Sequence, residues 1–229
     1  NATKRVLVPT EEIADAWKGG GAFDDSSWKL VTGSPGGVGY ERDSGYQSLI
    51  TLNVDAEMRN NNSCYVRIPF NLTSDPGKFT SLILKVRYDD GFIAYLDGTE
   101  VQRVGFTGTP KWNSASELNH EADAPESFII SDHINLLKQG QNVLAVHALN
   151  VNTSSSDFLI SVSLEASQDT PAPGSGGIAP TAVKYTTPVT LTKSTHIKAR
   201  ALAGNVWSAL NEVAFAVGPV AQNLRISEI

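Results

Sequence analysis

Two adjacent carboxylates, Asp89 and Asp90, lie at a tight turn between two segments that have the pattern of β-strands. Before them, residues 81–88 alternate polar and apolar side chains, which is the period of a strand with one face in a core. Gly91 then supplies turn geometry, and residues 92–96 return as the antiparallel partner. Two carboxylates at such a turn either are solvated or form half of a site for a hard cation.

A cation site at this turn needs further oxygen ligands, and the sequence supplies them in a second loop. Residues 143–149 are apolar on both faces, which predicts a central strand. If this strand is antiparallel to residues 92–96, it ends at the same tip of the sheet as the aspartates, because the start of one strand meets the end of its partner. The following loop is rich in carboxylate and amide oxygens, which Ca²⁺ prefers as ligands. We therefore predict a structural Ca²⁺ bound by Asp89, Asp90, Asn150, Asn152 and Asp157. The alternative is that the two aspartates only cap their own turn.

Exposed aromatic side chains with polar neighbours would suit carbohydrate, because sugars present an apolar C–H face surrounded by hydroxyl groups. Residues 105–126 form a long polar stretch without periodicity, and a loop of that length in a compact domain is usually functional or disordered. Trp112 in this loop is the first candidate for a glycan contact, followed by Tyr40, Arg42 and Tyr46. For the two tyrosines the alternative is packing at the rim of a sandwich.

Motifs of common enzyme classes are absent from the sequence. It has no G-x-S-x-G or H-E-x-x-H motif, no phosphate-binding loop and no C-x-x-C pair. The four histidines are far apart, and His147 lies in an apolar strand, where we expect a hydrogen-bonded core residue. Glycoside hydrolysis needs two carboxylates and an acid whose pKa is raised in an apolar pocket, whereas the Asp24-Asp25 and Asp89-Asp90 pairs lie in polar turns. We therefore expect a protein that is not an enzyme.

The composition argues against several kinds of partner. The 229 residues carry a net charge of −6 without any basic run, so neither nucleic acid nor an acidic membrane surface is an expected partner. No apolar stretch approaches membrane-spanning length. Cys64 is the only cysteine, which excludes an internal disulfide and predicts a small buried residue. Many Thr, Ser, Asn and Gly residues with few Lys are typical of a secreted bacterial surface protein.

The chain is long enough for one large β-domain and a smaller one. Residues 169–180 concentrate Pro, Gly and Ser, which predicts a linker. We place the first domain at residues 1–168, the second at 181–220, and the start of a following domain at 221–229. The second domain has Trp207 as its only large anchor and therefore a marginal core. Its predicted strands are residues 183–185, 189–191, 196–203 and 213–217.

Four motifs mark the first domain: FDDSSW at 23–28, YVRIPF at 65–70, YDDGFIAYLDGTEV at 88–101 and GQNVLAVHALN at 140–150. In this order they resemble the galactose-binding-domain-like jelly rolls of carbohydrate-binding modules and of the front of family-two glycoside hydrolases. The resemblance implies a jelly-roll β-sandwich with Trp28 in its core. The combination also resembles modules of large secreted bacterial proteins, and LRISEI at 224–229 resembles the opening of a lamin-tail domain.

Two further resemblances concern the second domain and the aspartate turn. The segment YTTPVTLTKSTHIKARALAGNVWSAL at 185–210 is similar to the C-terminal immunoglobulin-like domain of chitobiases and β-hexosaminidases. It lacks the tyrosine-threonine-aspartate-glycine-serine segment that usually precedes this pattern, and such domains resemble spacers. The DDG turn and the DG that follows it, within residues 88–98, resemble the protective-antigen-type sugar-binding domain of yeast flocculins. In that family a neighbouring aspartate pair holds Ca²⁺, and the Ca²⁺ holds sugar hydroxyls.

These patterns predict an all-β chain with a jelly-roll β-sandwich, a linker and a smaller immunoglobulin-like β-sandwich. The expected function is non-catalytic binding of a polysaccharide or glycan within a large secreted, extracellular protein. Neighbouring domains of that protein are the other expected partners. The alternatives are a structural spacer or adhesion module without a ligand of its own, and a glycan-processing enzyme domain.

Overall fold

The computed structural model describes residues 2–167, 184–203, 206–207, 211–215 and 217. The chain divides into two compact units, Asn1–Asp169 and Thr170–Ile229. The predicted linker, residues 169–180, and the predicted start of a third domain, residues 221–229, lie outside the described residues. The domain boundaries therefore stay predictions.

Strands dominate the first unit, as the alternating sequence patterns predict. In chain order they are β1 (Lys4–Leu7), β2 (Lys29–Val31), β3 (Gly37–Glu41), β4 (Ile50–Asn53), β5 (Ser63–Leu72), β6 (Ser81–Asp89), β7 (Gly91–Leu96), β8 (Thr99–Val104), β9 (Glu126–Ile129), β10 (Gly140–Leu149) and β11 (Asp157–Ser167). The helical elements are short, namely α1 (Asp55–Met58) and 3₁₀ turns at Asp15–Lys18, Gln47–Leu49, Pro76–Lys78 and Ser131–Leu136.

Within residues 2–167 these strands form two sheets. One has the order β2-β1-β5-β10-β7-β8, and the other has the order β4-β3-β11-β6-β9. Neighbouring strands pair antiparallel except β3 and β4, which are parallel. One apolar core takes side chains from both sheets. Two sheets that share a core form a β-sandwich, so the predicted all-β sandwich is confirmed.

The core between the sheets is built from the inward-facing residues of the alternating strands. On β6, Leu82, Leu84 and Val86 are fully buried, whereas Ile83 and Lys85 between them are only half-buried. A buried aliphatic side chain of this size contributes about 1.5–3 kcal/mol relative to an exposed one. A shift of β6 by one residue would expose this set and bury its polar neighbours, so the alternation fixes the register.

A second layer of aromatic side chains covers the outer face of the six-stranded sheet. Trp17 stacks on Tyr65 of β5 with ring centroids 4.0 Å apart. Trp28 belongs to the same cluster and is 5% exposed, so it is buried as predicted, but in this outer layer and not in the core between the sheets. His147 of β10 packs edge-on against Tyr65, and its Nε2 forms a hydrogen bond of 2.7 Å with Ser63 Oγ. His147 is therefore the predicted hydrogen-bonded core residue. We call Trp17, Trp28, Tyr65, Tyr95 and His147 the aromatic layer. The strand β10 has apolar side chains on both faces because the core covers one face and the aromatic layer covers the other.

The described part of the second unit consists of short strands. These are β12 (Thr195–Ala199), β13 (Leu202–Ala203), β14 (Val206–Trp207) and β15 (Asn211–Phe215). β12 pairs antiparallel with β15, and β13 with β14. The strands predicted around Tyr185 and Val189 are not formed, since both side chains are exposed and Pro188 between them cannot donate to a ladder. The immunoglobulin-like fold of this unit stays a prediction.

Candidate metal centre

The end of β6 positions both aspartates of the turn. Asp89 is paired with Leu159 of β11, and β7 begins at Gly91 and pairs antiparallel with β10. Gly91 lies opposite Leu149, the last residue of β10, so the loop after β10 starts beside the aspartates, as predicted. The peptide bond between Asp89 and Asp90 is cis. The two carboxylates face different partners.

Asp90 binds backbone amides of two separate loops. Its Oδ1 accepts a hydrogen bond of 2.9 Å from the His120 N–H, and its Oδ2 accepts one of 2.6 Å from the Val151 N–H. The Asp90 N–H in turn donates to the carbonyl of Leu149 at 3.0 Å. Burial raises the pKa of this carboxyl, while the two backbone hydrogen bonds lower it. Asp90 therefore holds the two loops together at this end of the sandwich.

Asp89 keeps one carboxylate oxygen free. Its Oδ2 accepts a hydrogen bond of 3.1 Å from the Tyr46 hydroxyl, which also lies 2.8 Å from Glu121 Oε2. The backbone N–H of Ala122 donates to the same hydroxyl at 2.8 Å. A hydroxyl has one hydrogen to donate, so it cannot satisfy both carboxylates at once. Asp89 Oδ1 is buried and has no hydrogen-bond partner among the described residues.

Three carboxylates converge at this point, and we call Asp89, Glu121 and Asp157 the acidic cluster. Each offers one oxygen, and these three oxygens lie within 4.8 Å of one another. Asp89 is only 2% exposed, Asp157 is half-buried and Glu121 is exposed. Burial, followed by the charges of Asp90 and Asp157, raises the pKa of Asp89 to about 8. The cluster thus contains a buried acid that is costly to ionise without a counter-charge.

The donor set of the acidic cluster fits a hard cation. Its ligand atoms are carboxylate oxygens, which Ca²⁺ and Mg²⁺ prefer, and the only described cysteine, Cys64, is buried in the core between the sheets. The unpartnered Asp89 Oδ1 lacks the partner that a buried polar atom normally has. A cation bound by the acidic cluster would supply the counter-charge that the buried Asp89 lacks and would remove the repulsion among the three carboxylates. The residues of this chain could therefore hold a metal ion.

The structure brings two of the five predicted metal ligands into the acidic cluster. Asp89 and Asp157 belong to it, whereas both oxygens of Asp90 bind amides. The Asn150 side-chain amide donates to the Tyr40 hydroxyl and to the carbonyl of Asp157. Its Oδ1 accepts a hydrogen bond of 3.4 Å from the Asn152 N–H. Asn152 Oδ1 accepts from Ser154. These asparagines shape the loop because their short side chains bond nearby backbone.

Glu121 is the cluster member that the sequence patterns missed. It lies in the long loop between β8 and β9, where no periodicity indicates which side chains point inward. Two contacts fix this part of the loop: Arg87 Nε donates to the carbonyl of Ala122 at 2.8 Å, and Ala122 donates to Tyr46. The length of the loop indicated a functional segment, but it did not indicate which of its residues form the site. The contact that places Glu121 is formed only in the folded chain.

The four predicted glycan contacts occupy different environments. Tyr40 is fully buried, and its hydroxyl accepts from the Asn150 amide, so it cannot form the exposed platform that was expected. Tyr46 is 8% exposed, and its hydroxyl lies within hydrogen-bond distance of Asp89 and Glu121 in the acidic cluster. The exposed Arg42 binds Asp55 and lies over the Tyr40 ring. Trp112 is half-buried and packs against the aromatic layer. Both tyrosines are thus packing residues and not exposed platforms: Tyr40 lies in the core between the sheets, and Tyr46 lies in a small cluster with Ala122 and Leu159.

Fold and site together define a β-sandwich unit with a candidate site for a hard cation at one end. None of the helices in the described ranges is long and apolar enough to span a membrane. No family model matches the chain, and no curated protein matches it.

Several solved glycosidase structures are similar to the chain. A Bacteroides uniformis β-glucuronidase is 14% identical with a TM-score of 0.40; the match covers 70% of this chain and 17% of that one. A calcium-binding mutant of β-glucuronidase 2 from the same organism is 16% identical, with a TM-score of 0.39 and the same two coverages. A β-glycosidase from Bacteroides vulgatus is 10% identical with a TM-score of 0.40, over 95% of this chain and 24% of that one. The chain thus spans about a fifth of the length of these structures.

Proposed function

We propose that the chain is a non-catalytic glycan-binding module of a larger secreted protein and that it binds Ca²⁺ at the acidic cluster. The observation that carries this proposal is the buried, unpartnered Asp89 Oδ1 among three converging carboxylates at one end of the β-sandwich. When bound, the ion supplies the missing counter-charge and coordination positions for hydroxyl oxygens, because Ca²⁺ takes six to eight ligands.

The exposure of the cluster supports a ligand that approaches from solvent. Asp89 is anchored in the core, whereas Glu121 is exposed and Asp157 is half-buried. Arg42 lies on the same rim, since its N–H donates to the carbonyl of Ser156 at 2.9 Å. Its guanidinium binds Asp55 and the carbonyl of Ser155, and the N–H groups that these contacts leave would serve as donors to sugar hydroxyls. Trp112 would add part of one ring face to the contact.

The spacing of the acidic cluster favours metal binding over glycoside hydrolysis. A glycosidase places two carboxyl groups at least about 5 Å apart, across a space that holds the sugar ring. The three oxygens of the acidic cluster lie within 4.8 Å of one another, which suits ligands of one ion.

Chelation followed by calcium addition tests the metal half of the proposal. In the full chain, Ca²⁺ at a hundred to a thousand times its dissociation constant should raise stability by roughly 2–4 kcal/mol. Asp89→Asn should remove this gain. Asp132→Asn, which changes an exposed carboxylate near the opposite end of β6, should keep it. An unchanged melting temperature together with no calcium in elemental analysis would contradict the site.

A glycan array tests the second half. The full chain should bind at least one glycan class in Ca²⁺ and lose the binding in chelator. Arg42→Ala should weaken this binding without removing the stabilisation by Ca²⁺. If Ca²⁺ stabilises the chain and no glycan binds, the ion has a structural role alone and the glycan half of the proposal is wrong.

A further inference from the structure

An apolar cavity opens between the two sheets at the end of the sandwich opposite the acidic cluster. Its volume is about 470 Å³, which is within the range of small-ligand sites. β11 pairs with β3 only through residues 157–160, and beyond Ile160 it pairs with β6 alone. The five-stranded sheet therefore has a gap beside Gly36, and we assign the mouth of the cavity to this gap because Pro35 and Gly36 line the cavity there. The wall consists mainly of apolar side chains from both sheets: Ile68, Phe70, Leu72, Leu82, Leu144 and Leu164.

The cavity is separate from the acidic cluster. Leu82 in its wall and Asp89 in the cluster are seven residues apart on β6, which corresponds to roughly 23 Å along a strand. Leu164 and Asp157 are likewise at different parts of β11. A ligand in the cavity would therefore leave the proposed cation site untouched.

Lys4 is the single charged residue that lines this cavity. It lies on the inward-facing side of β1 with Val6 and is only 7% exposed. Its ammonium donates one hydrogen bond to the carbonyl of Gly36 at the mouth, and two further N–H groups remain for a ligand. No carboxylate among the described residues forms an ion pair with it, and burial lowers its pKa. A buried cation without a counter-ion costs free energy unless an anion compensates it.

We propose that this cavity binds a fatty-acid carboxylate, with the alkyl chain between the sheets and the head group on the Lys4 ammonium. The apolar wall buries the chain, because removing methylene groups from water is favourable. The carboxylate supplies the charge that Lys4 lacks, and a charge-assisted hydrogen bond is stronger than a neutral one. The side chains of Ser161 and Ser163 alternate with the inward-facing Val162 and Leu164 and point to the other face of β11, so the head group depends on Lys4.

Titration calorimetry of the full chain with decanoate and with decanol tests this proposal. Both probes have the same alkyl chain, and only decanoate carries the charge. We expect one decanoate per chain, bound at least about tenfold more tightly than decanol, which is the effect of one charge-assisted hydrogen bond. Equal affinities, or no binding of decanoate at millimolar concentration, would overturn the proposal. This comparison uses the unmodified protein and does not depend on whether a variant folds.

Variants then locate the site. Lys4→Met shortens the side chain by one atom and removes its charge, so it should abolish the preference for decanoate over decanol. Lys111→Met, a change of an exposed lysine in the long loop, should leave that preference intact. Leu164→Trp fills the cavity without altering Lys4 and should weaken both probes. Full preference for decanoate in folded Lys4→Met would show that the anion binds elsewhere.

Discussion

Asp89 and Asp90 are adjacent in the chain, but their carboxylates have different partners. Asp90 accepts hydrogen bonds from two backbone amides, whereas Asp89 leaves one buried oxygen without a partner. A buried donor or acceptor that loses its partner costs about 1–3 kcal/mol. The two residues should therefore respond to substitution, and to Ca²⁺, in opposite ways.

Asp90→Asn should destabilise the chain by about 1–3 kcal/mol in both chelator and Ca²⁺, because an amide oxygen replaces only one of the two acceptors. Asp89→Asn should be neutral or stabilising in chelator and should abolish the response to Ca²⁺. Urea unfolding under both conditions measures the two effects. If the loss of stability in Asp90→Asn disappears at saturating Ca²⁺, Asp90 acts through the metal.

The raised pKa of Asp89 predicts how stability depends on pH when no metal is bound. Its carboxyl keeps a proton up to about pH 8 in the folded chain, whereas the unfolded carboxyl loses it near the ordinary value of 3.8. Between these values the folded state binds more protons than the unfolded state. The stability that the protonated Asp89 contributes is therefore fully present below about pH 4 and is lost as the pH rises toward 8. The slope is at most about 1.4 kcal/mol per pH unit.

Thermal unfolding in chelator between pH 5 and pH 8 measures this slope. Asp89→Asn should flatten it, because the amide does not titrate, and Asp132→Asn should not. Stability of the unmodified chain that rises over the same interval would contradict the burial of a protonated Asp89.

At the scale of elements, the sequence patterns predicted strands better than side-chain roles. The alternation of residues 81–88 identified β6, and the apolar run at 143–149 identified β10 as a strand covered on both faces. These two strands predicted that the aspartate turn meets the loop after β10. That meeting identified two members of the acidic cluster, Asp89 and Asp157. Strand periodicity carries this information because it is local.

Aperiodic segments were not predictable in this way. Trp17 and Tyr40 are both buried, but the loops and neighbouring strands that cover them come from distant parts of the sequence. Glu121 reaches the acidic cluster because Tyr46 and Arg87 fix the loop around Ala122. The local sequence around an aromatic residue does not show whether a distant segment covers its side chain, so only the folded chain distinguishes an exposed aromatic from a buried one.

Glu121→Gln should weaken Ca²⁺ binding at least about tenfold, because the number of charged ligands tunes calcium affinity. Its stability in chelator should be unchanged or higher, since one of the repelling charges is gone. Glu117→Gln is the matched control in the same loop, as Glu117 binds Thr107 and not the acidic cluster. Equal calcium affinities in the two variants would exclude Glu121 from the site.

At the scale of the whole molecule, the sequence predicts a protease-sensitive segment between two units. Residues 169–180 hold too few apolar side chains to offset the entropy of ordering. Limited proteolysis should therefore cut there first and release a folded fragment that contains residues 1–166. Mass spectrometry of the early products locates the cut, and a first cut inside residues 2–167 would contradict the boundary.

The position of β11 in its sheet has a consequence for synthesis of the protein on the ribosome. β11 lies between β3 and β6, so without it the five-stranded sheet separates into two unconnected pairs. Because β11 ends at Ser167, the sandwich cannot close until almost all of the first unit has left the exit tunnel. Pairings this distant in sequence are typical of domains that fold in milliseconds to seconds. Nascent chains that end before Asp157 should show no cooperative unfolding in pulse proteolysis, and chains extended well beyond residue 167 should show it.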